Sequence, residues 1–337
     1  MELRLTAQRE GRLSSFLRRE LRMSAGLVNR LKWKNALFVN GQPRHTDYPV
    51  QPGDVIAVML EEEAPEYPAE DGPLSILYED DWLLAVDKPA GMLIHPSRVR
   101  NEGTLANLVA GYYQKTNQRS AFHPLTRLDR DTFGLVLLAK NSHVHALLQA
   151  THPQKTYQAL VCGCPPETQG EVDAPIARCE LPSLLRRIDP AGKPCRTVYR
   201  VLGSDGRITR LELHPITGRT HQLRLHCAYL GCPILGDPQY GTPESAALSQ
   251  SLGIPTQLLC ARQLDFSHPI TGANITIRSQ MTPDLRFGSR LCLTLSGFTR
   301  SESRSSSGRG WSGWPCRPRP CRRDRRWGRR YRGFPRC

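Results

Sequence analysis

No two of the eleven cysteines stand in a CxxC pair; Cys162 and Cys164 form a CxC, and Cys316 and Cys321 lie five apart. Neither spacing suits a structural zinc framework, and 337 residues bury enough core to dispense with disulfide staples. Reduced thiols in a cytosolic protein are expected. No GxGxxG or GxxxxGK[ST] occurs in residues 1–299, which excludes the usual dinucleotide and P-loop phosphate cradles from the body of the chain. No apolar run approaches the length needed to span a bilayer. Met1 to Met23 alternates Leu with Arg and Glu and holds no apolar signal core, so the chain is expected to be soluble and not exported. Residues 301–337 contain no Ala, Val, Leu, Ile, Met, Lys or Thr and cannot build a core. The Arg-rich segment 287–337 is therefore expected to be disordered. Its Arg, Trp and Tyr would add nonspecific affinity for nucleic acid. Arginine without lysine is equally what an out-of-frame reading of GC-rich DNA produces.

What remains is ordinary in composition, with 39% hydrophobic and 23% charged residues, enough for two or three folding units. The net charge of +15 favours a polyanionic partner. It is unevenly placed: residues 300–337 carry 13 Arg against Glu302 and Asp324, or +11, leaving +4 (15 − 11) for the preceding 299. Within residues 1–60, Leu13, Phe16, Leu17 and Leu21 mark one helical stripe. Ser24 can cap a second helix bearing Leu27, Val28 and Leu31. Arg18, Arg19, Arg22, Arg30, Lys32 and Lys34 largely fall off both stripes. Ala36 to Val39 reads as a strand, Asn40-Gly41 as a turn and Val55 to Leu60 as a closing strand. Two short helices with basic outer faces, then LFVNGQ and PGDVIAV, resemble the S4 RNA-binding module. A pair of merely solvated helices would carry similar charge. Residues 61–73, with EEEAPEYPAEDGP, read as an acidic linker.

From 74 to 286, short strand candidates are interspersed with two helices. The strands are Ile76-Leu77, Leu83 to Val86, Leu135 to Ala139, Tyr157 to Cys162, Thr197 to Leu202 and Thr209 to Leu213. Leu105 to Tyr113 and His143 to Thr151 have helical spacing. Strands and helices do not alternate, so the fold is expected to be α+β, a mixed, mostly antiparallel sheet with flanking helices. Before the strand at Leu135, the loop RLDRDTFG sets Asp129 and Asp131 beside Arg127 and Arg130. Alone, such a string is as readily a salt-bridged surface turn.

Its company gives it more weight. AVDKPAGMLIHPS (85–97), RLDRDTFGLVLLAK (127–140), KTYQALV (155–161), TGRTHQLRLH (217–226), PILGDPQYG (233–241) and FSHPITG (266–272) follow one another in this order. Together they resemble the motif series of the RluA family of RNA pseudouridine synthases. Thr126 stands where that family usually has His, and Phe133 where it has Ser. The resemblance implies a pseudouridine-synthase sheet with a central cleft. It implies Asp129 as catalytic aspartate, Tyr157 as active-site tyrosine, Arg224 as partner of Asp129, and Asp131 as a loop-structuring residue. Lys88, His95, Arg127, Arg219 and His221 would touch substrate RNA, with Arg18, Arg30, Lys32 and Lys34 of the first unit.

Uridine-to-pseudouridine conversion rearranges bonds without changing the elements, so no cofactor is expected. Asp129 would attack or stabilise C1′, by a covalent or a glycal route, while Tyr157 stacks on the base and helps remove the C5 proton. His221 and His226 are five apart with no carboxylate ligand nearby, and no metal is expected there. The partner would be RNA, ribosomal before transfer RNA, met by a cytoplasmic monomer. A noncatalytic RNA-binding or ribosome-assembly factor is the alternative. A glycoside or nucleoside hydrolase would require a second carboxylate acting as acid, and Asp131 is the sole neighbour in sequence.

Overall fold

The computed structural model describes residues 1–60, 67–97, 100–180, 183 and 185–284. The acidic half of the expected linker (61–66) and the tail expected to be disordered lie outside the described residues. The first unit comprises β1 (Glu2–Thr6), β2 (Gly11–Arg12), α1 (Leu13–Arg19), α2 (Ala25–Trp33), β3 (Leu37–Val39), β4 (Gln42–Pro43), β5 (Pro49–Val50) and β6 (Val55–Met59). Its main sheet has the order β1-β6-β3-β4. The β3–β4 hairpin closes on Asn40 and Gly41, both at positive φ (50° and 75°), the geometry a two-residue turn needs to match strand twist. Ser24 caps α2 by accepting from the Leu27 amide at 3.2 Å. Leu13, Phe16 and Leu17 of α1 and Val28 and Leu31 of α2 are buried against Leu37, Val39, Ile56 and Val58. Arg18, Arg30, Lys32 and Lys34 stay exposed. β1 was not expected. Its five residues offer just Leu3 and Leu5 as apolar positions, and pairing with β6 is what makes it a strand.

The second unit runs β7 (Ser75–Glu79), β8 (Leu83–Lys88), α3 (Leu105–Lys115), β9 (His123–Pro124), β10 (Phe133–Ala139), α4 (Ser142–Ala150) and β11 (Gln154–Cys162). It continues with β12 (Gln169–Asp173), β13 (Ile176–Arg178), β14 (Arg186–Ile188), β15 (Arg196–Ser204) and β16 (Ile208–Pro215). α5 (Gln222–Tyr229), α6 (Pro243–Ser251), β17 (Leu259–Ser267) and β18 (Asn274–Arg278) complete it. The main sheet is ordered β12-β15-β16-β11-β17-β10-β8-β7, with β18 on β17 and β9 on β10. Its pairings are antiparallel except for β10 with β17, parallel at Phe133 and Gly134. The mixed, mostly antiparallel α+β architecture expected from the sequence is the one found.

Residues 67–73 do not hang free as a spacer. The Asn107 amide donates to the Pro68 carbonyl at 3.0 Å, and the Gly103 amide donates to the Glu70 carboxylate at 2.9 Å. Trp82 and Ile270 pack against both the N-terminal core and the sheet core, so the units touch through apolar surface.

The register of this sheet makes the site. Gly134 and Tyr157 both pair with Ala261, and Tyr157 also pairs with Leu213. One rung therefore crosses four strands and brings the loop before β10 close to Tyr157. The register slips between Thr156 and Tyr157, where β17 carries Arg262 as an extra, bulged residue opposite them. Gly134 is required here. Its φ is +103°, and a Cβ would lie 2.5 Å from the Ala261 carbonyl oxygen. Gly134→Ala is expected to destabilise the protein by about 3 kcal/mol or more through strain and backbone collision. Chemical denaturation checks this; a midpoint equal to wild type would contradict it.

Candidate active site

A cleft of about 970 Å³ opens where the 125–132 loop, the α4–β11 turn and the β16–α5 loop meet. Asp129 lies on its wall with its side chain 29% exposed. The loop is fixed from below. Lys88, at the end of β8, is fully buried, and its ammonium donates to the carbonyls of Pro89, Met92 and Arg130, each at 2.9 Å. Burial pushes this lysine down to about 7, against the upward pull of Asp131 and Asp129. Lys88 was expected to contact RNA. The structure corrects this: all three donors are spent on backbone, and the side chain fastens the 89–92 turn to the Asp129 loop. Within that loop the Thr132 amide donates to the Asp129 carbonyl at 3.2 Å. Asp131 forms a two-point pair with Arg130 (3.0 and 2.9 Å) and is absent from the cleft wall, in line with a loop-structuring role.

Opposite Asp129 stands Arg224, on an α5 so deeply placed that Gln222 through Cys227 are all buried. Its Nη1 donates to Asp129 Oδ2 at 3.3 Å. The pairing expected from sequence is present, but it is secondary. Nε and Nη2 donate to the two oxygens of Asp237, each at 2.7 Å, and Nη2 also reaches Gln239 Oε1 at 2.8 Å. Burial alone would weaken the hold of Arg224 on its proton, but the Asp237 carboxylate outweighs it and raises the value, with Asp129 adding to the effect. The guanidinium also lies over the Tyr240 ring at 5.0 Å. Asp237, Gln239 and Tyr240 thus hold the arginine at a fixed angle to Asp129. They belong to PILGDPQYG, and its place directly after α5 was the available signal that it braces Arg224.

Tyr157 lines the same cleft. Burial pushes its hydroxyl well above the ordinary phenol range, and the Asp129 charge raises it further, so it is neutral at physiological pH. His221 sits at the start of α5 in a left-handed conformation (φ 58°) with Nε2 3.9 Å from Asp129 Oδ2. Arg127 and Arg219 are exposed on the cleft wall, and Arg219 also donates to the Pro194 carbonyl at 3.2 Å. Gln222 shapes the 217–219 turn, accepting from the Thr217 hydroxyl and the Arg219 amide at 2.9 Å each. His226 is occupied structurally, with Thr197 Oγ1 at 2.9 Å and the Ala174 carbonyl at 3.1 Å.

His95 departs from its expected part in RNA contact. It is half-buried away from the cleft wall, with Nδ1 3.2 Å from the Tyr67 hydroxyl and its ring edge-on to Phe122 at 5.3 Å. Phe133 is buried at the foot of β10, and Thr126 lines the cleft as a buried residue. Among the described residues, Asp129 is the sole carboxylate on the cleft wall. The arrangement offers a carboxylate opposite a fixed guanidinium, with an aromatic face beside both. This suits attack on, or stabilisation of, an electron-poor sugar carbon.

Residues 82–229 match the family model for RNA pseudouridylate synthase. The chain is 34% identical over 273 residues to an uncharacterized RNA pseudouridine synthase of Bacillus subtilis (strain 168), covering 79% of this chain and 94% of that protein. It is 32% identical over 293 residues to ribosomal large subunit pseudouridine synthase C of Vibrio cholerae, covering 81% and 90%. Among solved structures it resembles human RNA pseudouridylate synthase domain containing 4, with a TM-score of 0.51 at 26% identity over 64% of this chain and 90% of that one.

Proposed function

Because the chain belongs to the RNA pseudouridylate synthase family, we propose that it isomerises selected uridines in structured ribosomal RNA with Asp129 as the reacting group. The N1–C1′ bond breaks, the uracil turns, a C5–C1′ bond forms, C5 gives its proton to solvent, and N1 takes up a proton in its place. Asp129 supplies the negative charge that meets C1′, Arg224 keeps that charge aimed, and the neutral Tyr157 stacks on the base. A uridine in folded RNA has to leave its stack to enter, at a cost of a few kcal/mol. Contacts from Arg127 and Arg219 on the rim offset part of it. The single observation that carries this is the lone carboxylate of the cleft wall. A hydrolase of the inverting or retaining kind needs two; here Asp131 is tied to Arg130, and Asp237 is buried against Arg224. Transcripts of ribosomal RNA bearing C5-tritiated uridine provide the test. Tritium release without loss of base is expected; free uracil would mark a hydrolase, and neither product would mark an RNA-binding factor.

The N-terminal unit, in this proposal, grips RNA beside the modified site. Support comes from its exposed Arg18, Arg30, Lys32 and Lys34 and from Trp33, 81% exposed at the end of α2 with Lys32 Nζ 5.8 Å from its ring. An open indole among lysines is a stacking platform for an unpaired base, worth about 1–3 kcal/mol per base. Trp33→Ala is expected to weaken RNA binding by about tenfold and to raise KM while leaving kcat unchanged, with Trp33→Phe recovering most of it. Filter binding of loop-containing RNA checks this; equal affinity for Trp33→Ala and wild type would remove the platform.

A further inference from the structure

Asp129 has two polar neighbours across the cleft, Arg224 and His221, and both rest on one residue, Tyr240. The Tyr240 ring lies beneath the Arg224 guanidinium, and its hydroxyl is 2.7 Å from His221 Nδ1. That oxygen already accepts from the Arg186 backbone amide at 3.1 Å. Its own hydrogen has no acceptor among the described residues except His221 Nδ1. With the phenol's hydrogen given to the imidazole, Nδ1 is an acceptor and the ring proton sits on Nε2, the nitrogen that faces Asp129 at 3.9 Å.

We propose that Tyr240 is a positioning residue that locks His221 in its Nε2–H tautomer, so that a neutral N–H faces the Asp129 carboxylate and the uracil held against it. The proposal deepens the function above and rests on Asp129 as the reacting group. The alternatives show what the lock avoids. The other tautomer would turn a lone pair towards the carboxylate. A doubly protonated ring would form a full ion pair with Asp129 and draw charge away from C1′. Burial, with Arg224 and Arg186 close by, disfavours that second proton against the opposing pull of Asp129 and Asp237. The left-handed backbone at His221 is a strained conformation for a residue with a side chain, and it occurs at a residue whose ring lies 3.9 Å from Asp129.

The decisive variant is Tyr240→Phe, which keeps the ring under Arg224 and removes only the hydroxyl. Its single-turnover rate is expected to fall about tenfold, the scale of one net hydrogen bond, with RNA affinity within about twofold of wild type. His221→Asn tolerates the left-handed backbone and should lose a similar factor, with no added loss in the double variant. In full-length protein labelled with 15N-histidine, His221 should show an Nε2–H signal pattern that Tyr240→Phe converts to a tautomer mixture. A wild-type Nδ1–H tautomer, a Tyr240→Phe rate equal to wild type, or losses that multiply in the double variant would each overturn the proposal. The tautomer signal is independent of turnover, so a wild type that makes no pseudouridine would sink the function while the lock could still be read.

Discussion

Asp129→Asn is expected to abolish pseudouridine formation, by at least about 10,000-fold in single turnover, the order seen when a reacting group itself is removed. The substitution preserves size and shape and takes away the charge. The fold should tolerate it, because the carboxylate is 29% exposed and the Asp237 and Gln239 bonds of Arg224 remain. RNA binding should be kept or slightly improved, since a negative group leaves a surface that meets phosphates. Tritium release from C5-labelled uridine, filter binding and thermal unfolding on one preparation separate the three effects. Release at more than about a hundredth of the wild-type rate would leave the side chain as a helper and move the chemistry elsewhere in the cleft. The cleft wall holds no other described carboxylate to take its place.

The loop that carries Asp129 was legible in the sequence because it precedes a strand so apolar that all seven residues of β10 are buried, whereas the part expected of Asp129 came from the motif series. What surrounds it was less so. The rung that joins Gly134 to Tyr157 runs through Ala261 of β17, a strand not expected from its residues. LCARQLDFS holds no β-branched residue and mixes charged with apolar positions, so local preference is weak there. β17 exists because β11, β10 and β18 supply its partners. α5 was missed for a related reason. It is buried around most of its circumference, and a helix covered on every side shows no one-faced stripe. The bracing of Arg224 by Asp237 depends on how the chain returns after α5, and spacing alone does not carry that. His95 and Lys88 show the opposite failure. Both lie in a motif that resembles an RNA-contacting segment, yet burial assigns one to an aromatic cluster and the other to backbone carbonyls.

Lys88→Met should have the second-largest effect, and on stability and activity together. Methionine fills nearly the same space but leaves the carbonyls of Pro89, Met92 and Arg130 without their donor in a site where Lys88 has no exposed surface. A buried acceptor left without its donor costs about 1–3 kcal/mol, and these three carbonyls are part-buried, so a loss of a few kcal/mol is expected against the 5–15 kcal/mol that holds a typical domain folded. Loss of stability alone would vanish on cooling to a temperature where the variant is fully folded. A rate deficit should persist there, because the Arg130 carbonyl is the point at which Lys88 holds the Asp129 loop, and a shift of 1 Å at a reacting group costs about a hundredfold. Circular dichroism melts and single-turnover assays at low temperature divide the two contributions. A folded Lys88→Met variant with wild-type turnover would mean that the loop holds its shape unaided. Placement of Asp129 would then have to come from Arg224 and the sheet rung alone.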